Sequence, residues 1–333
     1  MNAASQDPSP GPAPPSARVT RAGPHRRPTT RGLIDVTERP PAPAPSVSRA
    51  QRLAALDAAL PLLACPVCAC PLVRNEAALV CPSRHRFDIA RAGYVNLFGR
   101  ATPANADTAA MVAAREAFLG TGAYEPIAEA VRGAVIRHGG LARAAGALVE
   151  VGAGPGYYLR HVATGLPAET VCLASDISVD AARRAAATGI ASIVADTWSR
   201  LPLGSAGVDV VLTVFAPRNA AEIARIVRPG GCAIVVTPMP DHLADMRERL
   251  ALMRVHPDAG PRAREALRRH GFEVSDVRPL AYRLRCTAAQ QQWLVEMGPN
   301  AFHPHAAPES TSTLIVSVEV SVAVRQSPGP TGG

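Results

Sequence analysis

Three cysteines and one histidine in the amino-terminal third of the chain have the spacing of a metal site. The pattern C-x2-C-x12-C-x3-H places one pair of these residues on each of two tight turns. Two such turns can present four ligands tetrahedrally, and four protein ligands leave no open position for catalysis. The sequence therefore predicts a structural zinc site with the ligands Cys65, Cys68, Cys81 and His85.

A redox-active C-x-x-C pair is the alternative, but it does not explain the second Cys/His pair. Cys70 is an extra thiol within reach and could replace a neighbour, although the turn spacing favours Cys65 and Cys68. The other cysteines lie in strand-like apolar runs and are predicted to pack in the core. They are Cys172, Cys232 and Cys286.

Glycines and acids form a second group, at the ends of short apolar segments. The run VEVGAGPGYY at 149–158 has the spacing G-x-G-x-G, which differs from the G-x-G-x-x-G of dinucleotide enzymes. Glycine permits a sharp turn and a close approach to a ligand. Carboxylates nearby could accept ribose hydroxyls or meet an adenine edge, but singly they could also be a helix cap or a turn residue. The group is Glu150, Gly152, Gly154, Gly156, Asp176 and Asp196.

The elements around these residues alternate between strand and helix. Residues 107–138 have helical spacing, interrupted at Gly120-Thr121-Gly122. Alternating short strands and helices predict a doubly wound parallel α/β sheet. Two carboxyl-terminal segments alternate strictly and predict an antiparallel edge pair, FEVSDVRPLAYRLRCT and STLIVSVEVSVAV. The five parallel strands are predicted at ALVEVG, VCLASD, IASIVAD, VDVVLTVF and GCAIVVTP.

The chain is predicted to divide into four parts. The first 50 residues hold eleven of the 32 prolines and have almost no apolar periodicity, so they cannot bury enough surface to fold. The parts are a disordered Pro/Arg-rich tail (1–55), a zinc-binding module (62–100), a helical linker that contributes to the cofactor site (101–140) and the α/β domain (141–325).

Composition limits the class of partner. All 35 basic residues are arginine, and the net charge of +8 weakly favours an anionic partner such as nucleic acid. Five arginines lie in or beside the zinc module, where they form either a solvated face or an RNA contact. These five arginines are Arg74, Arg84, Arg86, Arg91 and Arg100.

No apolar run approaches a membrane span and no secretory signal is evident, so a cytoplasmic protein with no membrane partner is expected.

The glycine loop and the ordered acids resemble class I S-adenosylmethionine-dependent methyltransferases, which have a Rossmann-like sheet. In that class the glycine loop holds the methionine part of the cofactor. The acid after the second strand holds the ribose, and the acid after the third strand lies near the adenine. The resemblance implies these roles for the loop at 152–156, for Asp176 and for Asp196. A nicotinamide enzyme is the competing interpretation, and the glycine spacing opposes it.

A narrower resemblance covers roughly residues 62–325. The zinc pattern, then RFDIARAGYVNLF, ADTAAMVAAREAFLGTGAYEPI and the glycine loop, are similar to 23S ribosomal RNA (guanine-N1)-methyltransferases. VFAPRN, TPMPDHLADM and EMGPNAFH resemble the Gram-positive branch, which includes tylosin and mycinamicin resistance enzymes. This resemblance implies methylation of the guanine at nucleotide 748 in the hairpin-35 loop, with macrolide resistance. It also implies S-adenosylmethionine and structural zinc as cofactors, an RNA-recognition role for the zinc module, and a homodimer.

The resemblance carries roles to matching residues. The four zinc ligands match, and Tyr124, Gly154, Pro155 and His242 match cofactor contacts. Pro155 departs from the family pattern, and it stiffens the loop and removes an N–H donor. The segment between 303 and 313 is shorter than usual, which puts the carboxyl-terminal pairing in doubt.

The loop after the fourth strand faces the methyl group in class I methyltransferases, and here it reads FAPRN. Phe215 could stack on the target base, or pack in the core instead. Arg218 or Asn219 could touch the O6 or N1 edge of the guanine, but no general base is evident.

Two other functions fit part of the sequence. A small-molecule methyltransferase of antibiotic biosynthesis needs no zinc module. A non-catalytic RNA-binding zinc protein would bind no S-adenosylmethionine.

Overall fold

The predicted disorder of residues 1–29 lies outside the part of the chain that the structure describes. The computed structural model describes residues 30–42, 45–100, 103–104, 106–141 and 146–327.

The described residues form twelve strands, nine α-helices and two short 3-10 helices. The strands are β1 (Thr30–Asp35), β2 (Val73–Asn75), β3 (Ala78–Val80), β4 (Arg86–Asp88), β5 (Val95–Asn96), β6 (Ala147–Val151), β7 (Val171–Asp176), β8 (Ala191–Val194), β9 (Val208–Val214), β10 (Val227–Pro238), β11 (Phe272–Cys286) and β12 (Ser312–Arg325). The α-helices are α1 (Arg49–Ala59), α2 (Ala109–Gly120), α3 (Glu125–His138), α4 (Tyr157–Ala163), α5 (Val179–Ala187), α6 (Ala220–Ile226), α7 (Ala244–Arg249), α8 (Ala259–Arg269) and α9 (Ala288–Glu296). The 3-10 helices are Leu60–Leu62 and Pro299–Phe302.

Nine strands form the main sheet, which over the described residues has the order β1-β11-β12-β10-β9-β6-β7-β8-β5. Its centre, from β8 to β10, is parallel and contains the five strands predicted from the sequence. Apolar residues of α3, α4 and α9 pack in one core cluster, and those of α1, α6 and α8 in another. The doubly wound α/β class is confirmed. The strand order reverses between β6 and β9, and a crevice forms at the carboxyl ends of strands at such a point.

The carboxyl-terminal strands β11 and β12 pair antiparallel along their length, as predicted. They do not form the edge of the sheet, because β12 lies between β10 and β11, and β1 pairs with the outer side of β11. The short 303–313 segment therefore still permits the antiparallel pairing.

Disorder to residue 55 was the wrong prediction for the described part of the tail. β1 runs parallel to β11, and the buried Val36 donates its N–H to the carbonyl of Arg285 at 3.0 Å. Helix α1 begins with a capping box between Ser48 and Gln51 and buries Leu56. The sequence did not indicate these elements, because the segment is rich in proline and because β1 pairs with a strand more than 240 residues away.

The helical linker and the zinc module connect to this sheet. Helices α2 and α3 are separated at the predicted break, where Gly122 has a φ of +77°. Strands β2, β3 and β4 form a small antiparallel sheet, and β5 joins the main sheet beside β8. Within the described ranges, no helix is both long and apolar enough to cross a membrane.

Candidate functional site

The donor atoms of the four predicted zinc ligands lie together, all within 4.8 Å of one another. The Sγ atoms of Cys68 and Cys81 are 3.6 Å apart, and Nδ1 of His85 lies 3.5 Å from Sγ of Cys65 and 3.3 Å from Sγ of Cys81. Tetrahedral zinc, with Zn–S near 2.3 Å and Zn–N near 2.0 Å, separates its donor atoms by about 3.5–3.8 Å. The cluster therefore fits a closed zinc site.

Two tight turns position these ligands. The N–H of Cys65 donates to the carbonyl of Cys70 at 2.8 Å, and the N–H of Cys81 donates to the carbonyl of His85 at 3.1 Å. Each turn contains a left-handed residue, with φ of +60° at position 69 and +65° at position 84. Among the described residues the cluster does not include the thiol of Cys70, which contributes to the knuckle through its backbone.

The glycine loop follows β6 at the point where the strand order reverses. Gly152, Gly154 and Gly156 all have left-handed φ, of +71°, +54° and +75°. A Cβ on Gly152 would lie 2.5 Å from Cβ of Ala216, so this glycine also permits close contact with the loop after β9. Pro155 is buried between the last two glycines. The predicted loop therefore lies in the crevice of the sheet.

Asp176, at the end of β7, holds the glycine loop in place. Its Oδ2 accepts the N–H of Gly154 at 2.8 Å, and its Oδ1 accepts the N–H of Ser178 at 2.9 Å. Burial raises the pKa of this carboxyl, and the two N–H donors and Arg115 oppose the shift. Each carboxylate oxygen has a further lone pair, so Asp176 can still accept ribose hydroxyls.

Glu150 lies in β6, and its side chain is hydrogen-bonded across the glycine loop to α4. Its side chain is buried, and Oε2 accepts the N–H of Leu159 in α4 at 3.0 Å. Burial is the main cause that raises the pKa of Glu150 to about 8; the N–H of Leu159 opposes the shift and the charge of Asp176 contributes to it. The contact joins β6 to α4, and a direct contact between Glu150 and the cofactor stays a prediction.

Asp196 follows β8 and organises a turn. Oδ1 accepts the N–H of Trp198 at 2.9 Å, and Oδ2 accepts the hydroxyl of Ser199 at 2.8 Å. The turn belongs to a segment, residues 195–204, that we term the junction loop. Its later part bonds to the zinc module, because Ala64 donates to Pro202 and Gly204 donates to Leu62, each at 2.9 Å. The adenine role of Asp196 stays a prediction.

Tyr124, Phe215 and His242 come from three different elements and form an aromatic cluster. The ring of Phe215 lies 6.0 Å from that of Tyr124 and 5.7 Å from that of His242, between centroids. Tyr124 precedes α3 and is buried. The residue before it, Ala123, is held in place because its carbonyl accepts the hydroxyl of Tyr282 at 2.7 Å. The structure therefore brings two predicted cofactor contacts together with one predicted catalytic residue.

His242 is a poor candidate for the missing general base. Its Nδ1 accepts the N–H of Ser317 at 3.2 Å, so the proton of the neutral ring lies on Nε2, 3.4 Å from the hydroxyl of Tyr124. Burial, and then the charge of Arg247, lower its pKa to about 3. A neutral ring with its free lone pair already engaged cannot accept a proton from substrate.

The FAPRN loop after β9 combines a strained aromatic with a cation. Phe215 has a φ of +53°, unusual for an aromatic, and remains 38% exposed, so it is only partly packed in the core. Arg218 donates to the carbonyl of Ala216 at 3.1 Å, and no carboxylate among the described residues pairs with it. Asn219 caps α6, because its Oδ1 accepts the N–H of Glu222 at 3.3 Å. The three catalytic roles stay predictions.

Sequence reasoning missed Arg115 of α2, which lies over the glycine loop. Its guanidinium pairs with Asp107 at 2.5 Å and donates to the carbonyl of Met297 at 2.5 Å. A Cβ on Gly154 would be 2.9 Å from Nη1 of Arg115. In the sequence this arginine has only the spacing of a helix surface, and no local pattern could have identified it.

This fold and this crevice, with a glycine loop and an acid on the next strand, define a class I methyltransferase with an amino-terminal zinc ribbon. The zinc-ribbon family profile described as "RlmA, N-terminal" matches residues 63–100. The 23S rRNA (guanine(748)-N(1))-methyltransferase of Streptomyces fradiae is 43% identical over 244 residues, which cover 72% of this chain and 86% of that one. A protein of Micromonospora griseorubida, provisionally named 23S rRNA (guanine-N(1)-)-methyltransferase, is 41% identical over 285 residues, which cover 80% of this chain and 96% of that one. The chain belongs to the 23S rRNA (guanine-N1)-methyltransferase family.

Among solved structures, the magnesium protoporphyrin IX methyltransferase of Synechocystis with bound SAH is 13% identical, with a TM-score of 0.41. The match covers 62% of this chain and 85% of that one. At that score the likeness carries no weight, and the fold class rests on the strand order.

Proposed function

We propose that this protein transfers a methyl group from S-adenosylmethionine to N1 of a guanine in 23S rRNA. The observation that carries the proposal is the identity of 41–43% with two relatives named for this reaction, over most of their length. The guanine at nucleotide 748 is the proposed target, because the name of the Streptomyces fradiae relative specifies that position. An rRNA substrate implies a cytoplasmic enzyme.

The proposed cofactor site is the crevice at the carboxyl ends of β6, β7 and β8. When bound, S-adenosylmethionine supplies an electrophilic methyl group on a sulfonium, so the protein mainly has to position the two reactants. The glycine loop would hold the methionine part of the cofactor, Asp176 the ribose and Asp196 the adenine side. Tyr124 and His242 would form the wall beside the methyl group, since both contact Phe215.

The proposed target site is the FAPRN loop. As the N1–methyl bond forms, the N1 proton must leave, and negative charge spreads toward O6 if it leaves early. The guanidinium of Arg218, which lacks a carboxylate partner in the described part of the chain, can donate to O6. The ring of Phe215 would stack on the splayed base. With His242 held neutral, water is the proposed proton acceptor.

The four ligands Cys65, Cys68, Cys81 and His85 would hold zinc as a closed structural site. The proposed role of the zinc module is recognition of the RNA hairpin, supported by exposed arginines at 84 and 86. A homodimer is also proposed, and light scattering of the purified protein tests it.

Methylation of hairpin-35 RNA with isotope-labelled S-adenosylmethionine tests the function. We expect one methyl group per RNA at N1 of the guanine, located by mass mapping, and none when that guanine is replaced by adenine. Methylation of a macrolide scaffold, with RNA unmodified, would support the small-molecule alternative. Binding of RNA without any transfer would support the non-catalytic alternative. Expression of the gene in a sensitive host tests the proposed macrolide resistance.

A further inference from the structure

Trp198 exposes its large apolar side chain to solvent. The chain has only two tryptophans, and its aromatic content is 4%. Trp293 packs against the core, whereas Trp198 is 68% exposed. A single exposed apolar side chain is common and by itself indicates nothing. The way in which the fold holds this residue is the informative observation.

The backbone of Trp198 is fixed on both sides. Its N–H donates to Oδ1 of Asp196 at 2.9 Å, and its carbonyl accepts from Nδ2 of Asn219 at 3.5 Å. The hydroxyl of Ser199 completes the turn by donating to Oδ2 of Asp196 at 2.8 Å. The indole is therefore presented outward from a hydrogen-bonded turn, which reduces the backbone entropy lost when a partner binds.

The junction loop that carries Trp198 connects the two proposed binding regions. On one side it bonds to the segment that leads into Cys65, through Ala64 and Leu62. On the other side Arg225 of α6 donates to the carbonyls of Leu201 at 2.9 Å and Leu203 at 2.7 Å. Asn219, which contacts Trp198, is itself part of the FAPRN loop. An RNA that touched both the zinc module and the target site would pass this loop.

We infer that Trp198 stacks on an unpaired base of the RNA, next to the flipped guanine and on the side of the zinc module. This inference rests on the proposed function. Aromatic side chains bind single-stranded bases by stacking, with little dependence on sequence. Arg200, two residues further on, is exposed and forms no ion pair with the described residues, so it can accompany a phosphate. Trp198 thus contributes to RNA affinity and not to the transfer step.

Kinetics on the hairpin-35 RNA test the inference. Trp198→Ala should raise the KM for RNA about tenfold, the loss expected for one stacked base, with kcat at saturating RNA unchanged. Affinity for S-adenosylhomocysteine should also be unchanged, and Trp198→Phe should retain most of the RNA affinity. Ile136→Ala is the matched control, since Ile136 is 59% exposed on α3, and the buried face of α3 packs in a different core cluster from Leu201 and Leu203 of the junction loop. Equal KM values for Trp198→Ala and the wild type would overturn the inference.

Fluorescence gives a direct measurement of stacking. In Trp293→Phe, Trp198 is the only tryptophan, and its emission should be quenched on addition of the hairpin RNA. Unchanged emission on addition of RNA would contradict the inference. Quenching that follows the protein concentration and does not need RNA would also contradict it, because it would indicate a contact between two copies of the protein. Failure of the wild type to methylate the hairpin would refute the proposed function instead, and quenching distinguishes the two failures.

Discussion

Nε2 of His242 lies 3.4 Å from the hydroxyl oxygen of Tyr124, and both side chains are buried. The first residue follows β10 and the second precedes α3, 118 residues earlier in the chain. Because Nδ1 of His242 accepts the N–H of Ser317, Nε2 carries the proton and donates to Tyr124. The pair forms one wall of the proposed cofactor site. Burial of the neutral His242 ring should make the stability of the protein depend on pH, which can be measured.

The stability of the protein should depend on pH through His242. Its pKa is lowered to about 3 in the folded state and is near 6.5 when unfolded, so between these values the unfolded chain binds more protons. The contribution of His242 is present above pH 6.5 and falls as the pH decreases, by about 2 kcal/mol between pH 7.5 and pH 5. Urea unfolding of His242→Gln, which keeps a donor and an acceptor, should lack this dependence. The same slope in both proteins would show that His242 titrates normally.

Glu150 should have the opposite effect on stability. Its folded pKa of about 8 lies above its ordinary value, so the folded state binds more protons and its contribution decreases as the pH rises through this range. Glu150→Gln keeps an acceptor for the N–H of Leu159. The free energy of unfolding of the variant minus that of the wild type should be about 2–3 kcal/mol larger at pH 7.5 than at pH 5. In the wild type, the opposite pH dependences that His242 and Glu150 give to the free energy of unfolding partly cancel. His242→Gln should therefore reveal the effect of Glu150, and Glu150→Gln the effect of His242. An equal effect of Glu150→Gln on the free energy of unfolding at pH 7.5 and at pH 5 would contradict this assignment.

Loss of zinc should separate RNA recognition from cofactor binding. Cys81→Ser removes a ligand, so we expect zinc content to fall and RNA methylation to be lost. Affinity for S-adenosylhomocysteine should be mostly retained, because the side chain of Asp176 is held by the N–H groups of Gly154 and Ser178, which lie outside the module. Cys70→Ser is the matched control and should keep about one zinc per chain.

The cofactor affinity of Cys81→Ser also tests whether the zinc module recognises RNA or only supports the junction loop. The junction loop bonds to the zinc module through Ala64 and Leu62, so a loosened module could disturb Asp196. If cofactor binding and RNA methylation fall equally, the module is a structural support for the junction loop, and its recognition role is wrong.

Arg115 should be needed for the amino-acid part of the cofactor. Its guanidinium lies over Gly154 and beside Asp107 and Asp176, so it can offset the repulsion that these acids would exert on a carboxylate of the ligand. Arg115→Ala should weaken S-adenosylhomocysteine binding about tenfold or more, as expected for a charged hydrogen bond. Calorimetry with 5′-methylthioadenosine, which lacks the amino acid, should show little change. Equal losses for both ligands would mean that Arg115 only supports the fold.

Arg218 should act on turnover more than on cofactor affinity. Arg218→Ala should lower kcat on hairpin-35 RNA about 10- to 100-fold, because stabilisation of charge at O6 is lost. Arg218→Lys should retain part of this rate, and S-adenosylhomocysteine affinity should match the wild type. Equal single-turnover rates for Arg218→Ala and the wild type would remove Arg218 from the reaction.

Local pattern made several features predictable. The C-x2-C and C-x3-H spacings give the zinc ligands because each pair lies on one tight turn, and the structure brings those four side chains together. The glycine loop and Asp176 were found for a similar reason, since both follow strands whose apolar pattern is continuous. In parallel sheets the carboxyl ends of adjacent strands lie together, which places the two side by side.

Contacts between distant segments decided the rest. β1 was missed because its partner, β11, lies about 250 residues further along the chain, and a Pro-rich composition hides a short edge strand. Arg115 gained a role only when α2 packed over the glycine loop, and the tautomer of His242 depends on a backbone N–H from β12. Spacing within short segments is enough to predict the ligand set, the glycine loop and the parallel core, because residues that are close in the chain encode each of them. The hydrogen-bond partners of the acids, the neutral state of His242 and the attachment of the zinc module to the junction loop depend on the folded chain, because burial and hydrogen bonding between remote segments set these properties.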